Sequence, residues 1–178
     1  MVADRMLDEM ASKPRMQHYE TYCRAGRLYK DRGGTLMDNE DPAMQSQAIP
    51  MYQQSLSHYL RGYTIGDRHY YPGINAASLH LLVGEPQESV DLAGEILGGL
   101  TTSSSENKED NIWITATKAE ACLLLGRFAD ARTYYLRILD SPTCRLHHRA
   151  SMKTQVRRIF ASNSVYRTGF VEHFLMPH

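Results

Sequence analysis

One arrangement recurs along this chain and limits what it can become: a helical pattern, a glycine stop, then a second helical pattern. It opens as Tyr70-Tyr71-Pro72-Gly73-Ile74-Asn75-Ala76-Ala77, runs apolar to Gly84 and restarts at Pro86. It returns from Trp113 through Gly126 and Phe128 to Leu139. Ile74, Ala77, Leu81 and Leu82 supply the buried face before the first stop, and Ile112, Ala116, Ala119 and Leu123 do so before the second. Glycine suits a helix end because it tolerates the left-handed backbone, and proline suits a helix start because its missing donor would be unpaired there anyway. Two helices joined by a short turn have to pack on each other, so the unit is a helical hairpin.

The small and aromatic residues then narrow the plan. Ala119, Cys122, Gly126, Phe128, Ala131, Tyr135 and Ile138 fall near the positions that such residues hold in a tetratricopeptide repeat. Ala77, Gly84, Pro86, Ala93 and Ile96 hold comparable places one unit earlier. Gly84 and Gly126 lie 42 residues apart, against a repeat of about 34; an insertion over Gly98 to Asp110 absorbs the difference. Gly26, Tyr29, Gly33, Ala48 and Tyr52 mark a first, divergent repeat. The expected fold is all-α: tetratricopeptide-like stacked helical hairpins forming a right-handed α-solenoid. The expected divisions are a tail or short helix over 1–13, one array over 14–161, and a capping segment or tail over 162–178.

Taken in order, the pattern predicts a helix from Pro14 to about Gly33-Gly34, with Gly26 admitting a neighbouring helix. A loop follows over Thr35 to Ser46. The next helix runs from about Met44 to Tyr63, with Ala48, Tyr52, Ser55 and Tyr59 as its stripe and Pro50 in its first turn. Thr64 to Tyr71 reads as a connector, with Pro72 opening the helix beyond it. Gly98-Gly99 and Thr101 to Ser105 read as the clearest break. Asn107, Glu109 or Asp110 can cap the helix after it. A partner helix over Ala129 to Leu139 ends at Ser141-Pro142, and a last helix spans Arg145 to Ala161. Asn163 to His178 adds a short terminal segment.

Composition sets the outer bounds. With 178 residues and 42% hydrophobic side chains, the chain can bury a core without a disulfide or metal. Lysine plus arginine equals aspartate plus glutamate at 20 each, which gives no global pull toward nucleic acid or an anionic membrane. No apolar run approaches the roughly 20 residues needed to cross a bilayer, and no secretory signal stands at the N-terminus. Three cysteines, Cys23, Cys122 and Cys144, are an odd number without a framework. They point to free thiols in a reducing, cytoplasmic compartment.

Chemistry-bearing motifs are sparse. Gly33-Gly34 and Gly98-Gly99 lack the lysine and hydroxyl residues of a phosphate loop. Cys144, His147 and His148 are good ligand types, but a helix cannot turn three such close neighbours inward together, so no metal is expected. Cys122 sits on a packing face, where a small buried thiol is the simple explanation. No cofactor and no catalysis are expected. The one strong charge pattern is Arg145, Arg149, Lys153 and Arg157, spaced by four along the last helix without an intervening acid. Such a stripe is either a solvated face or a receptor for phosphates or an acidic partner. Tyr59, Tyr63, Tyr70 and Tyr71 cluster around one connector, where amphipathic aromatics can serve a binding patch; Tyr70 and Tyr71 are read first as packing between repeats.

Several stretches resemble the central regulatory domain of apoptosis-signal-regulating kinases, the family described as the TRAFs-binding domain of mitogen-activated protein kinase kinase kinases. They are Cys23-Arg24-Ala25-Gly26-Arg27-Leu28-Tyr29-Lys30-Asp31, Ala48-Ile49-Pro50-Met51-Tyr52, Tyr71-Pro72-Gly73-Ile74-Asn75-Ala76-Ala77 and Leu81-Leu82-Val83-Gly84. The Trp113 helix and the Val156 to Phe160 end extend the likeness, which covers about Met16 to Phe160. The resemblance implies a tetratricopeptide-like array that recruits proteins and regulates a neighbouring domain. Kinase activity does not transfer, because the kinase motifs are absent. Related domains occur in bacterial multidomain proteins.

The function expected is a non-catalytic scaffold that binds a protein on the concave surface of the array. Candidate contacts are Tyr29, Asn75, His80, Lys118, Arg145 and Arg149. The alternatives are a homo-oligomerising module, joined through exposed tyrosine and leucine patches, and a phosphate or nucleic-acid site on Arg145, Arg149, Lys153 and Arg157. Nucleic acid is disfavoured by the balanced charge elsewhere.

Overall fold

A computed structural model describes residues 18–101 and 108–162. Among these, every regular element is helical: α1 (Tyr19–Met37), α2 (Pro42–Ser46), α3 (Ala48–Ile65), α4 (Tyr70–Leu82), α5 (Pro86–Thr101), α6 (Lys108–Leu124), α7 (Phe128–Leu139) and α8 (Leu146–Ser162). The chain divides into two compact units, Met1–Gly84 and Glu85–His178. In each, successive helices pack as antiparallel hairpins, so the all-α plan of stacked helical hairpins holds. The segments expected over 1–13 and, beyond Ser162, over 163–178 lie outside the described residues.

In the first unit α1 packs on α3, and α3 packs on α4. The α1–α3 contact is a steric key. A β-carbon at Gly26 would stand 2.7 Å from Tyr59 Cδ2, and one at Gly33 would stand 2.6 Å from Tyr52 Cε1. Both rings are almost fully buried. Close approach also lets Ser55 Oγ donate to the Gly26 carbonyl oxygen at 2.7 Å, an interhelical bond that only a short side chain at short range can make. Gly33 and Gly34 were expected to end α1; instead the helix passes through them to Met37. Glycine weakens a helix by about 1 kcal/mol, and here the buried Tyr52 ring fills the space left by Gly33 and holds the turn.

The expected loop over Thr35 to Ser46 is shorter than its polarity suggested. α1 takes its first residues, and Pro42 opens the single-turn α2 with Asp41 Oδ1 accepting from the Ala43 N–H at 2.9 Å. α3 therefore begins at Ala48, not at Met44, with Pro50 in its first turn as expected. α4 starts at Tyr70, two residues ahead of Pro72, because His69 Nδ1 accepts from the Tyr71 N–H at 3.3 Å and caps the end. Every residue from Pro72 to Leu79 is buried.

In the second unit α6 is the central helix, packing on α5, α7 and α8. Ala119, Ala121, Cys122, Leu123 and Leu124 are fully buried along it. Gly98-Gly99, read as a break, lies inside α5, which continues to Thr101. Ile96, Leu97 and Leu100 are buried around the pair, so packing carries the helix past its weakest residues. The glycines on which the repeat was drawn do end their helices. Gly84 and Gly126 have φ of +91° and +71°. After α6 the Gly126 N–H donates to the Leu123 carbonyl and the Arg127 N–H to the Cys122 carbonyl, at 3.0 and 2.8 Å, closing a Schellman turn.

Candidate partner-binding surfaces

A polar cluster forms where three helices of the first unit meet. Lys30 of α1 is only 8% exposed, although a lone buried ammonium is costly. Its Nζ donates to Asn75 Oδ1 of α4 and lies 5.6 Å from the centroid of the Tyr59 ring of α3. Asn75 is oriented by its own helix, since its Nδ2 donates to the Tyr71 carbonyl at 2.8 Å. That bond presents the amide oxygen to Lys30. The Tyr59 and Tyr71 rings meet edge to face at 6.3 Å. Burial first, and Tyr71 second, push the Tyr59 phenol far above its ordinary range. Tyr29 stacks on His58 at 5.3 Å beside this cluster.

The second surface is one side of α8. His148 Nδ1 accepts from the Arg145 N–H at 3.0 Å, tying down the start of the helix. The His148 ring is buried against the edge of Trp113 of α6, with centroids 5.0 Å apart. Farther along, Gln155 Nε2 donates to Glu120 Oε1 at 2.8 Å, and Ile159 is fully buried. These anchors fix which side of α8 faces inward. Arg145, Arg149, Lys153 and Arg157 are all exposed. Arg149 also donates from Nη2 to the Leu139 carbonyl at 3.2 Å, placing a cation at the C-terminal end of α7. Leu146, at the start of this side, is 82% exposed.

The candidate contacts thus fall into distinct settings. Tyr29 and Asn75 are buried, Tyr29 stacked on His58 and Asn75 accepting from Lys30. His80 and Lys118 are half-buried, and Arg145 and Arg149 are exposed. Lys30 was not singled out from the sequence: a charged residue next to Tyr29 reads as solvent-facing, and its contact with Asn75 joins residues 45 positions apart.

The thiols are placed for packing. Burial, with a smaller push from Glu20, raises Cys23 from the ordinary 9.0 to about 12. Burial likewise raises Cys122. A thiol held protonated is a poor nucleophile and a poor metal ligand. Cys144 is half-buried. His148 commits Nδ1 to the helix start, and among the described residues no three His, Cys, Asp or Glu side chains are grouped as metal ligands. Among the described residues, no helix is long and apolar enough to cross a membrane.

Comparison with known proteins bears on the first unit. Residues 2–80 match the family model described as TPR-S, Tetratricopeptide Repeats-Sensor. No curated protein and no solved structure matches the chain. The match takes in α1, α2, α3 and α4 up to its last turn. The α6–α7 hairpin, where the repeat spacing was plainest, lies beyond it and stands on its own geometry. Over residues 2–80 the chain is thus similar to a tetratricopeptide repeat family, and every regular element described in that stretch is helical.

Proposed function

We propose that the chain is a non-catalytic protein-binding module that works through exposed faces of its helical hairpins, with a regulatory role in a cytoplasmic setting. The observation that carries this reading is α8: an exposed row of four cations, with Leu146 exposed at its start, on a helix pinned from within. Charge gives such a face orientation and rate, and an apolar side chain beside it gives contact area. Arg145 and Arg149 are the contacts on this face. Lys118 contributes in the same unit. In the first unit His80 is the accessible candidate, with Tyr29 and Asn75 shaping the ground beneath. The resemblance to the central regulatory domain of apoptosis-signal-regulating kinases supports recruitment of a protein that controls a neighbouring domain. The word sensor in the matched family's description is in keeping with that role.

A second reading takes the same exposed row, Arg145, Arg149, Lys153 and Arg157, as a phosphate or nucleic-acid site. Affinity capture from the native cell extract separates the two. The chain and its Arg145→Glu/Lys153→Glu variant would be compared at physiological and high salt, with helicity matched by circular dichroism. A defined protein kept by the parent chain and lost from the variant is expected. Nucleic acid recovered only at low salt favours the second reading, since phosphate contacts weaken steeply as salt rises. Equal capture by both chains removes α8 from the site.

A further inference from the structure

The second unit separates its charges by helix. From Glu85 to Thr101 the sequence holds Glu85, Glu88, Asp91 and Glu95 and no lysine or arginine. From Leu146 to Ser162 it holds Arg149, Lys153, Arg157 and Arg158, with Arg145 just before, and no aspartate or glutamate. Glu88, Asp91 and Glu95 are exposed and recur at intervals of three and four, so they share one side of α5. Asp91 also accepts from Gln87 Nε2 at 2.8 Å. The inner side of α5, with Ser89, Ala93, Ile96 and Leu97, is buried. Both charged faces therefore point away from the core, on the first and last described helices of the unit.

From these two faces we infer that copies of the chain associate head to tail, the acidic side of α5 in one copy receiving the basic side of α8 in the next. The inference rests on the scaffold reading and names its partner as a second copy of this chain. The faces match in length: Glu88 to Glu95 spans about 10 Å and Arg149 to Arg157 about 12 Å at 1.5 Å per residue. They match in sign, and equal numbers of cations and anions make the whole chain neutral, so no net repulsion opposes the approach of a second copy. A contact between two different faces leaves one of each free at the ends. It propagates into a ring or an open string rather than stopping at a two-fold dimer. An unrelated acidic partner would use α8 alone and leave the complementary face of α5 without a role.

Sedimentation velocity of the full chain tests this at about 50 mM and about 500 mM salt, conditions between which the screening length falls roughly threefold. The wild-type chain is expected to form concentration-dependent oligomers at low salt and to dissociate at high salt. Glu88→Lys/Asp91→Lys and Lys153→Glu/Arg157→Glu should each weaken self-association by about tenfold or more. An equimolar mixture of the two variants should regain it, because one retains a basic α8 and the other an acidic α5. Oligomers indifferent to both pairs of substitutions, or variants that fail to complement on mixing, overturn the contact. A wild-type chain that stays monomeric while α8 still retains a different protein also overturns it, and leaves the scaffold reading standing.

Discussion

A methyl group added at Gly26 would stand 2.7 and 2.8 Å from two carbons of the Tyr59 ring, which is fully buried and unable to swing away. Alanine favours a helix interior over glycine by roughly 0.5–1 kcal/mol, while forcing an extra carbon into a packed core costs roughly 1–3 kcal/mol. The second effect wins. Gly26→Ala should lower the unfolding free energy by about 1–2 kcal/mol in urea titration, and an unchanged or raised midpoint would mean the ring can move after all. The need for a small residue at Gly26 was legible, because a glycine inside a helical stripe requires a reason. Which ring fills the gap was not. Tyr59 belonged to a stripe of alternatives, and only the register of α1 on α3 selects it. The same holds for Lys30, whose burial depends on an amide from another helix and an aromatic face from a third.

Helices α1 and α5 each run through a pair of adjacent glycines, and both pairs read as breaks in the sequence. Local propensity is a weak prior, and the leucines and tyrosines that overrule it act across space. Gly84 and Gly126 were readable as stops for a local reason: each is followed by a new helical pattern and each takes a left-handed backbone. The two classes of glycine respond differently to one substitution. At Gly98 nothing among the described residues lies within 4 Å of an added β-carbon, so Gly98→Ala should stabilise the chain by about 0.5–1 kcal/mol. Thermal unfolding followed by circular dichroism measures this, and a lowered midpoint would contradict an open helical site. Helix α8 was foreseen to within a residue at either end. Its inward side depends on Trp113 and Glu120, more than thirty positions earlier, which no local pattern connects to it.

Across the whole molecule the buried ionisable groups set a pH window. Burial raises Cys23 to about 12 from the ordinary 9.0, and raises Tyr59 and Tyr71 in the first unit and Cys122 and Tyr135 in the second. Each is neutral when folded and loses its proton more readily when unfolded. The stability tied to Cys23 is thus intact below about 9 and drains away as the pH climbs toward about 12. His69 works in the opposite sense. Burial pushes its titration below the ordinary 6.5, so its contribution is present above that value and falls away as the pH drops through the depressed one. Melting temperature should therefore be flat from about pH 7 to 9 and decline on the alkaline side in both units. A melting temperature that stays flat well above pH 9 would show that these groups ionise as freely in the folded chain as in the unfolded one.

Gly26 and Gly33 on α1 are seven residues apart, and so are Tyr59 and Tyr52 on α3. Two notches therefore meet two teeth about two helical turns apart, and sliding either helix by a single turn drives both rings against side chains that have no gap for them. The hairpin thus recognises its mate by spacing rather than by greasiness. A stretch of α3 from any other protein, equally apolar but with its large rings set six or eight apart, would be turned away. One residue inserted between Gly26 and Gly33 would leave two sound helices that no longer fit each other.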